Sequence, residues 1–295
     1  MAELTKALVG NWCSQTTGEF HYKSILDGQI NKDSFGKLRK QVFELVQDGV
    51  IVRAHNKRDG YYRLADKADE ELMWWEGDDI DDKKVNLWLP FGLSKAVYIS
   101  RPAIVTVSGD TNAGKSAVVL NILHMSTLKE SNFKNNAVLL MSEGMDLLKG
   151  KMSKLYNNGI PNPPPFKTFR KVSNFEDDVL PNGLTVIDYL RPPNSESLMS
   201  IGTKLEAIYS KLDTGIAVVA MQKPRGEKPE AYGGIITQWD ANLAISVYSN
   251  FGGNPYIKLS KIKKPILLDR NLYELKIGFE IHGGIVLKNE VKEYE

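Results

Sequence analysis

The sequence predicts an α/β protein: a large, mostly parallel sheet with helices on its faces, preceded by a small helical domain that ends in a hairpin. Three observations carry this. Beyond about residue 87, short apolar runs alternate with segments of helical period, the pattern of strand–helix–strand crossovers. One of those runs, Ala103–Ser108, leads through a glycine-bearing turn into an apolar helix that opens at Lys115. Between the two regions the composition turns sharply acidic, at Asp69-Glu70-Glu71 and Asp78-Asp79-Ile80-Asp81-Asp82. So acidic a stretch cannot bury a core by itself, which divides the chain into 1–66, a linker 67–86 and 87–295. Trp74-Trp75 interrupt the acidic run and are expected to dock it onto a neighbouring domain.

The 295 residues are 42% hydrophobic and 25% charged, enough to build an ordinary core. A net charge of only +2 gives no global field that marks a nucleic-acid binder, so such a role has to rest on local patches. Cys13 is the single cysteine, which excludes an internal disulfide and a cysteine-based zinc cluster. No apolar run approaches the ~18 residues of a membrane span, and the start, Met1 to Lys6, lacks the apolar segment of a secretion signal. A cytoplasmic protein with no membrane association is expected. No internal repeat is visible.

In the first region, Leu4–Gln15 carries apolar residues at helical spacing, and a short second helix is expected at Tyr22–Leu26, broken by Asp27-Gly28. Asp33 and Ser34 offer a cap for the longest helix, Ser34–Gln47, with Phe35, Leu38, Val42, Leu45 and Val46 as its buried stripe. Asp48-Gly49 ends it. Strands follow at Val50–His55 and Tyr61–Leu64, joined through Asn56 to Asp59-Gly60. This pattern resembles a winged helix-turn-helix domain. The likeness implies contact with duplex DNA through Lys37, Arg39 and Lys40 on the long helix and Arg53, Lys57 and Arg58 on the wing. The same cations also suit a solvated face on a domain that docks protein partners.

In the second region, strands are expected at Ala103–Ser108, Ala137–Met141, Lys167–Val172, Leu184–Ile187, Ile216–Met221, Asn242–Tyr248, Tyr256–Leu259 and Tyr273–Phe279. Helices are expected at Lys115–Met125, Met145–Leu155 and Ser195–Lys211. Asn162-Pro163-Pro164-Pro165 forces an extended loop.

The chemistry centres on Gly109-Asp110-Thr111-Asn112-Ala113-Gly114-Lys115-Ser116, which fits G-x-x-x-x-G-K-S/T at every fixed position. Phosphates need many donors at close range, and glycine-rich backbone before a helix supplies them. Lys115 is placed to neutralise the β and γ phosphates of ATP, and the Ser116 hydroxyl to ligate magnesium. Asp188 closes the apolar strand Leu184–Ile187, where a carboxylate beside Ser116 helps to hold the metal. Glu143 follows the strand Ala137–Met141. A carboxylate there can polarise an attacking water; alternatively, Ser142 and Glu143 cap the next helix.

With these residues in view, the second region resembles the RecA/DnaB/KaiC superfamily of oligomeric ATPases, in its DnaB- and RadA-like branch. Met141-Ser142-Glu143-Gly144-Met145 is similar to a strand end that carries the family's catalytic glutamate, although it lacks one intervening residue. The resemblance assigns Glu143 to water activation, Asp188 to the Walker B position and Gln222, after Ala220-Met221, to sensing of the γ-phosphate. Gly233 to Asn242 is similar to the family's small-residue turn and Gln-x-Asp-Ala-Asp element, with Asn242 in place of the last acid. Ser260-Lys261-Ile262-Lys263-Lys264 resembles the Lys-x-Arg finger that reaches a neighbouring subunit's ATP, with Lys263 where the family has arginine. That change loses the bidentate fork, and an ordinary basic strand end is the competing reading. The lead-in Leu87–Ile99 resembles that of RecA-type ATPases of phage and mobile-element origin.

After Gln222 comes a glycine- and proline-bearing loop in which Lys223, Arg225, Lys228 and Tyr232 can grip single-stranded DNA by charge and stacking. Glu227 and Glu230 partly cancel that charge, and a plain surface loop would look the same. The expected function is ATP hydrolysis coupled to DNA binding in replication, recombination or repair, by a homo-oligomer. A KaiC-like regulatory ATPase and a nucleotide-controlled transcription regulator are the alternatives.

Overall fold

The computed structural model describes residues 4–25, 34–54, 59–66, 85–128, 133–190, 200–224, 230–249, 254–267, 271–273 and 275–294. The chain divides into two compact units, Met1–Gly77 and Asp78–Glu295. The acidic stretch, Trp74 and Trp75 among it, lies almost wholly outside the described residues. None of the described helices is long and apolar enough to cross a membrane.

The first unit holds α1 (Lys6–Ser14), β1 (Phe20–His21), a 3-10 turn at Tyr22–Ser24, α2 (Phe35–Gln47), β2 (Ile51–Arg53) and β3 (Tyr61–Leu64). Thr5 caps α1, its hydroxyl accepting from the Leu8 N–H at 3.3 Å. Leu38, Val42 and Leu45 line the buried side of α2 and meet Val9, Cys13 and Ile51, while Phe35 and Val46 are only partly buried. Two expectations change. The second helix is a single 3-10 turn in the described residues, and the Ser34 side chain makes no capping bond. The hairpin gains a strand that the sequence reading missed: β1 pairs with β3, so the antiparallel order is β1-β3-β2. At two residues, β1 is too short to show alternation.

The second unit is built on one nine-stranded sheet. In chain order it contains a 3-10 turn (Pro90–Gly92), α3 (Leu93–Ala96), β4 (Ala103–Gly109), α4 (Lys115–Ser126), β5 (Ala137–Met141) and α5 (Met145–Leu155). There follow β6 (Lys167–Arg170), β7 (Leu184–Leu190), α6 (Ser200–Ser210), β8 (Ile216–Gln222), a 3-10 turn (Gly234–Gln238), β9 (Ala241–Tyr248), β10 (Tyr256–Ile262), β11 (Leu275–His282) and β12 (Val286–Tyr294). The order is β12-β11-β10-β9-β4-β8-β7-β5-β6. From β9 to β6 every pairing is parallel, and β9 to β12 is an antiparallel extension.

Burial explains the patterning. β4, β5, β8 and β9 are buried almost throughout, and read as unbroken apolar runs because both faces are covered. α4 is buried on nearly every side. The Asn121 amide on α4 donates to the Ile285 carbonyl at 2.7 Å, tying the β11–β12 turn over this helix. β12 was absent from the sequence reading, because Val286 to Glu293 is rich in charge and its run is short of apolar residues.

Candidate nucleotide site

The parallel strands bring their carboxyl ends to one rim, the place where open α/β sheets bind ligands. Residues 109–116 turn there from β4 into α4. Two positions demand glycine. Gly114 takes φ 101°, and a Cβ on it would lie 2.4 Å from Ile281 Cδ1. A Cβ on Gly109 would meet Lys115 Cγ at 2.8 Å and the Val247 carbonyl at 3.0 Å. Asn112 sits at φ 62°, which its short polar side chain tolerates.

Lys115 folds back across this loop. Its Nζ donates to the Gly109 carbonyl at 3.0 Å, the Asp110 carbonyl at 2.6 Å and Gln222 Oε1 at 3.1 Å. Burial pushes the ammonium down to about 8, against the pull of Asp188 and Asp110, and the nearby Lys223 charge adds to the depression. Ser116 Oγ donates to Asp188 Oδ1 at 2.9 Å. Burial raises the Asp188 carboxyl above its ordinary range, with the Ser116 hydrogen bond as the leading opposing influence. Its other oxygen, Oδ2, is buried and has no hydrogen-bond partner among the described residues.

An open carboxylate oxygen beside a hydroxyl is a donor pair that suits a hard cation. The pair Ser116 and Asp188 therefore fits the magnesium of a nucleotide complex and would supply two of its oxygen donors. No cluster of three His, Cys, Asp or Glu that could hold a metal unaided occurs among the described residues.

Gln222 ends β8 opposite Gly109. Its Nε2 donates to Thr111 Oγ1 at 3.0 Å while its Oε1 accepts from Lys115, so one amide spans the loop and its lysine. Glu143 follows β5, whose Met141 pairs with Asp188. Its Oε2 accepts from Lys151 Nζ on α5 at 2.5 Å. Lys151 lowers and Glu143 raises the Asp188 carboxyl, so both charges lie within electrostatic reach of Asp188. Gly144, which has no side chain, occupies the N-cap position of α5, so neither Ser142 nor Glu143 is the cap residue itself. Lys115, Ser116, Asp188 and Gln222 are thus joined by direct contacts, with Glu143 at their edge.

The remaining candidates are dispersed. Lys223 is a correction: it is 0% exposed, its Nζ 3.2 Å from Asp110 Oδ1, because the Asp110 carboxylate below takes its charge inward. It does not face solvent as a DNA-gripping residue must. Tyr232 is exposed, while Arg225 and Lys228 lie outside the described residues. Lys261 donates to the Gln238 and Trp239 carbonyls at 2.6 and 2.8 Å, so its ammonium serves its own chain; Lys263 is exposed. On α2, Lys37 and Lys40 are exposed, and Arg39 donates to the Tyr22 hydroxyl at 3.2 Å. Lys57 and Arg58 fall outside the described residues.

Sequence reasoning missed Lys151 and the Asp110–Lys223 pair. No local signal links Glu143 to Lys151. The Asp110–Lys223 pair follows only from the sheet order: β4 and β8 are neighbours that end together at Gly109 and Gln222, so the next residue of each strand falls side by side.

No protein-family model and no curated protein matches the sequence. Among solved structures, the chain is similar to a KaiC-like protein of the hyperthermophilic archaeon Pyrococcus horikoshii, with 16% identity over 70% of this chain and 99% of that one and a TM-score of 0.50. A RadB recombinase is also found, at 14% identity, 61% and 87% coverage and a TM-score of 0.44. The second unit has the RecA-like α/β fold of the KaiC-like protein.

Proposed function

We propose that this chain binds magnesium-ATP in the loop 109–116 and hydrolyses it, and that it works on DNA in replication, recombination or repair as a homo-oligomer. The observation that carries the reading is the Lys115–Gln222–Thr111 and Ser116–Asp188 network at the carboxyl rim of the sheet, in which Lys115 and Asp188 are buried and Thr111 is exposed. A lysine ammonium held inside the protein at a cost in solvation, within electrostatic reach of a carboxylate whose second oxygen is buried without a hydrogen-bond partner, is an arrangement that a polyphosphate and its metal would complete.

The residues divide the work. Backbone N–H groups of the loop and of the α4 amino terminus receive the phosphates. Lys115 swings from the Gly109 and Asp110 carbonyls onto the terminal phosphates. Ser116 and Asp188 would hold magnesium, which would supply charge neutralisation at the phosphates. Glu143 orients the attacking water and takes its proton, after its carboxylate parts from Lys151. Gln222 exchanges Lys115 and Thr111 for the γ-phosphate, and so reports nucleotide state to the segment that follows it. The first unit, read as a winged helix, serves as adaptor to duplex DNA through Lys37, Arg39 and Lys40.

A KaiC-like regulatory ATPase is the second reading. It is favoured by the inward turn of Lys223, which withdraws one cation from the expected DNA loop. The test is ATP turnover, with and without single- and double-stranded DNA, measured alongside oligomer size. Stimulation by DNA supports the first reading, turnover indifferent to DNA supports the second, and no turnover in either case contradicts both.

A further inference from the structure

The P-loop motif leaves its second position open, and this chain fills it with an acid. Asp110 is 7% exposed within the loop that is to wrap an anion. A carboxylate charge there repels phosphate and undercuts Lys115, five residues further along the loop. Its influence does reach Lys115, whose ammonium it raises. Something must offset that charge.

We propose that Lys223 is a positioning residue of the phosphate site: its buried ammonium neutralises Asp110 and so keeps this loop receptive to a polyphosphate. The inference rests on the nucleotide reading of residues 109–116 and deepens it. Lys223 Nζ lies 3.2 Å from Asp110 Oδ1 as an ion pair, an oxygen that is buried and has no hydrogen-bond partner among the described residues, and Ser249 Oγ donates to Asp110 Oδ2 at 3.3 Å. The Lys223 N–H also donates to the Gly109 carbonyl at 3.0 Å, which fixes the lysine to the base of the loop.

The ammonium is seated as a permanent fixture. It lies 4.3 Å from the centroid of the Tyr248 ring, an approach that favours a cation. Tyr248 in turn stacks on Tyr256, with centroids 4.8 Å apart and planes 6° from parallel. The seat is therefore built by β8, the loop after β4, and the facing ends of β9 and β10. A buried ion pair adds little stability relative to an apolar replacement, but removal of one member strands the other. Its use here is electrostatic. The pair makes an acidic P-loop locally neutral and leaves Lys115 as the uncompensated positive charge for the ligand.

A role as mere packing clamp predicts different behaviour, and variants separate the two. Calorimetric titration of magnesium-ATP and magnesium-ADP into the full chain compares wild type, Lys223→Met, Asp110→Asn and the double variant. Lys223→Met is expected to weaken magnesium-ATP about tenfold, and magnesium-ADP less, because the exposed repulsion scales with ligand charge. The double variant, which also removes the carboxylate, is expected to return to within about threefold of wild type. Asp110→Asn alone keeps the cation and removes the acid, and is expected to tighten binding about threefold; this arm stands even if Lys223→Met fails to fold. A double variant no better than Lys223→Met, or an Asp110→Asn variant that binds no more tightly than wild type, overturns the inference. Wild-type protein that binds no nucleotide overturns the phosphate-site reading itself, and this inference with it.

Discussion

The carboxyl rim of the parallel strands and the outer face of α2 both carry cations, and they differ in what surrounds them. Lys115 and Lys223 are buried, each held by oxygens of its own loop or by a carboxylate. Lys37 and Lys40 stand in solvent on α2. A charge withdrawn from water is costly unless it is paired or awaits a ligand, so its presence constrains function. An exposed lysine costs almost nothing to keep, and the same face serves duplex DNA, a protein partner or solubility. The nucleotide reading therefore rests on geometry, and the DNA reading on residue type.

The largest effect that should separate the two regions is at Lys115. Lys115→Ala is expected to weaken magnesium-ATP by about a hundredfold, the scale for truncating a desolvated charge against its counterion, and to abolish turnover; equilibrium titration and phosphate release check it. Next is the metal position. Asp188→Asn keeps the shape and the Ser116 contact but loses the charge, and is expected to raise the magnesium concentration for half-maximal turnover about tenfold. An unchanged magnesium requirement would detach Asp188 from the metal.

A third prediction concerns pH. The Lys115 ammonium is depressed to about 8 in the free protein. Below that pH the lysine is charged before and after binding, and affinity is flat. Above it, binding must draw a proton onto Lys115, so affinity falls by up to about tenfold per pH unit. Binding that strengthens between pH 8 and 9 would contradict the assignment. The smallest effect is expected at α2: Lys37→Ala with Lys40→Ala lowers duplex affinity and flattens its log–log salt dependence by about 0.9 per lysine that meets a phosphate. An unaltered slope would assign that face to something other than DNA.

The parallel half of the second unit was legible from sequence because buried strands announce themselves as unbroken apolar runs. Ala137–Met141 and Met145–Leu155 fall on their observed limits. The antiparallel margin was not: β12 is heavily charged, and β10 and β11 run several residues past their apolar cores. The structure brings Lys115, Ser116, Asp188 and Gln222 together; the first three were readable from fixed offsets to a glycine turn or a strand end, and Gln222 from the family resemblance. The inward course of Lys223 was not, because a lysine after a strand followed by proline reads as a loop. Its partner, Asp110, is supplied by the loop after β4, distant in sequence and brought near only because β4 and β8 are neighbours in the sheet. Lys261 was hidden for the same reason, since its acceptors are carbonyls of the preceding 3-10 turn.

The most direct test of the phosphate site is a calorimetric titration of magnesium-ATP at pH 9, repeated in two buffers of different ionisation enthalpy. The account predicts binding with uptake of about one proton per nucleotide, and loss of that uptake in Lys115→Met. No binding at all, or binding without proton uptake in the wild-type protein, would contradict it.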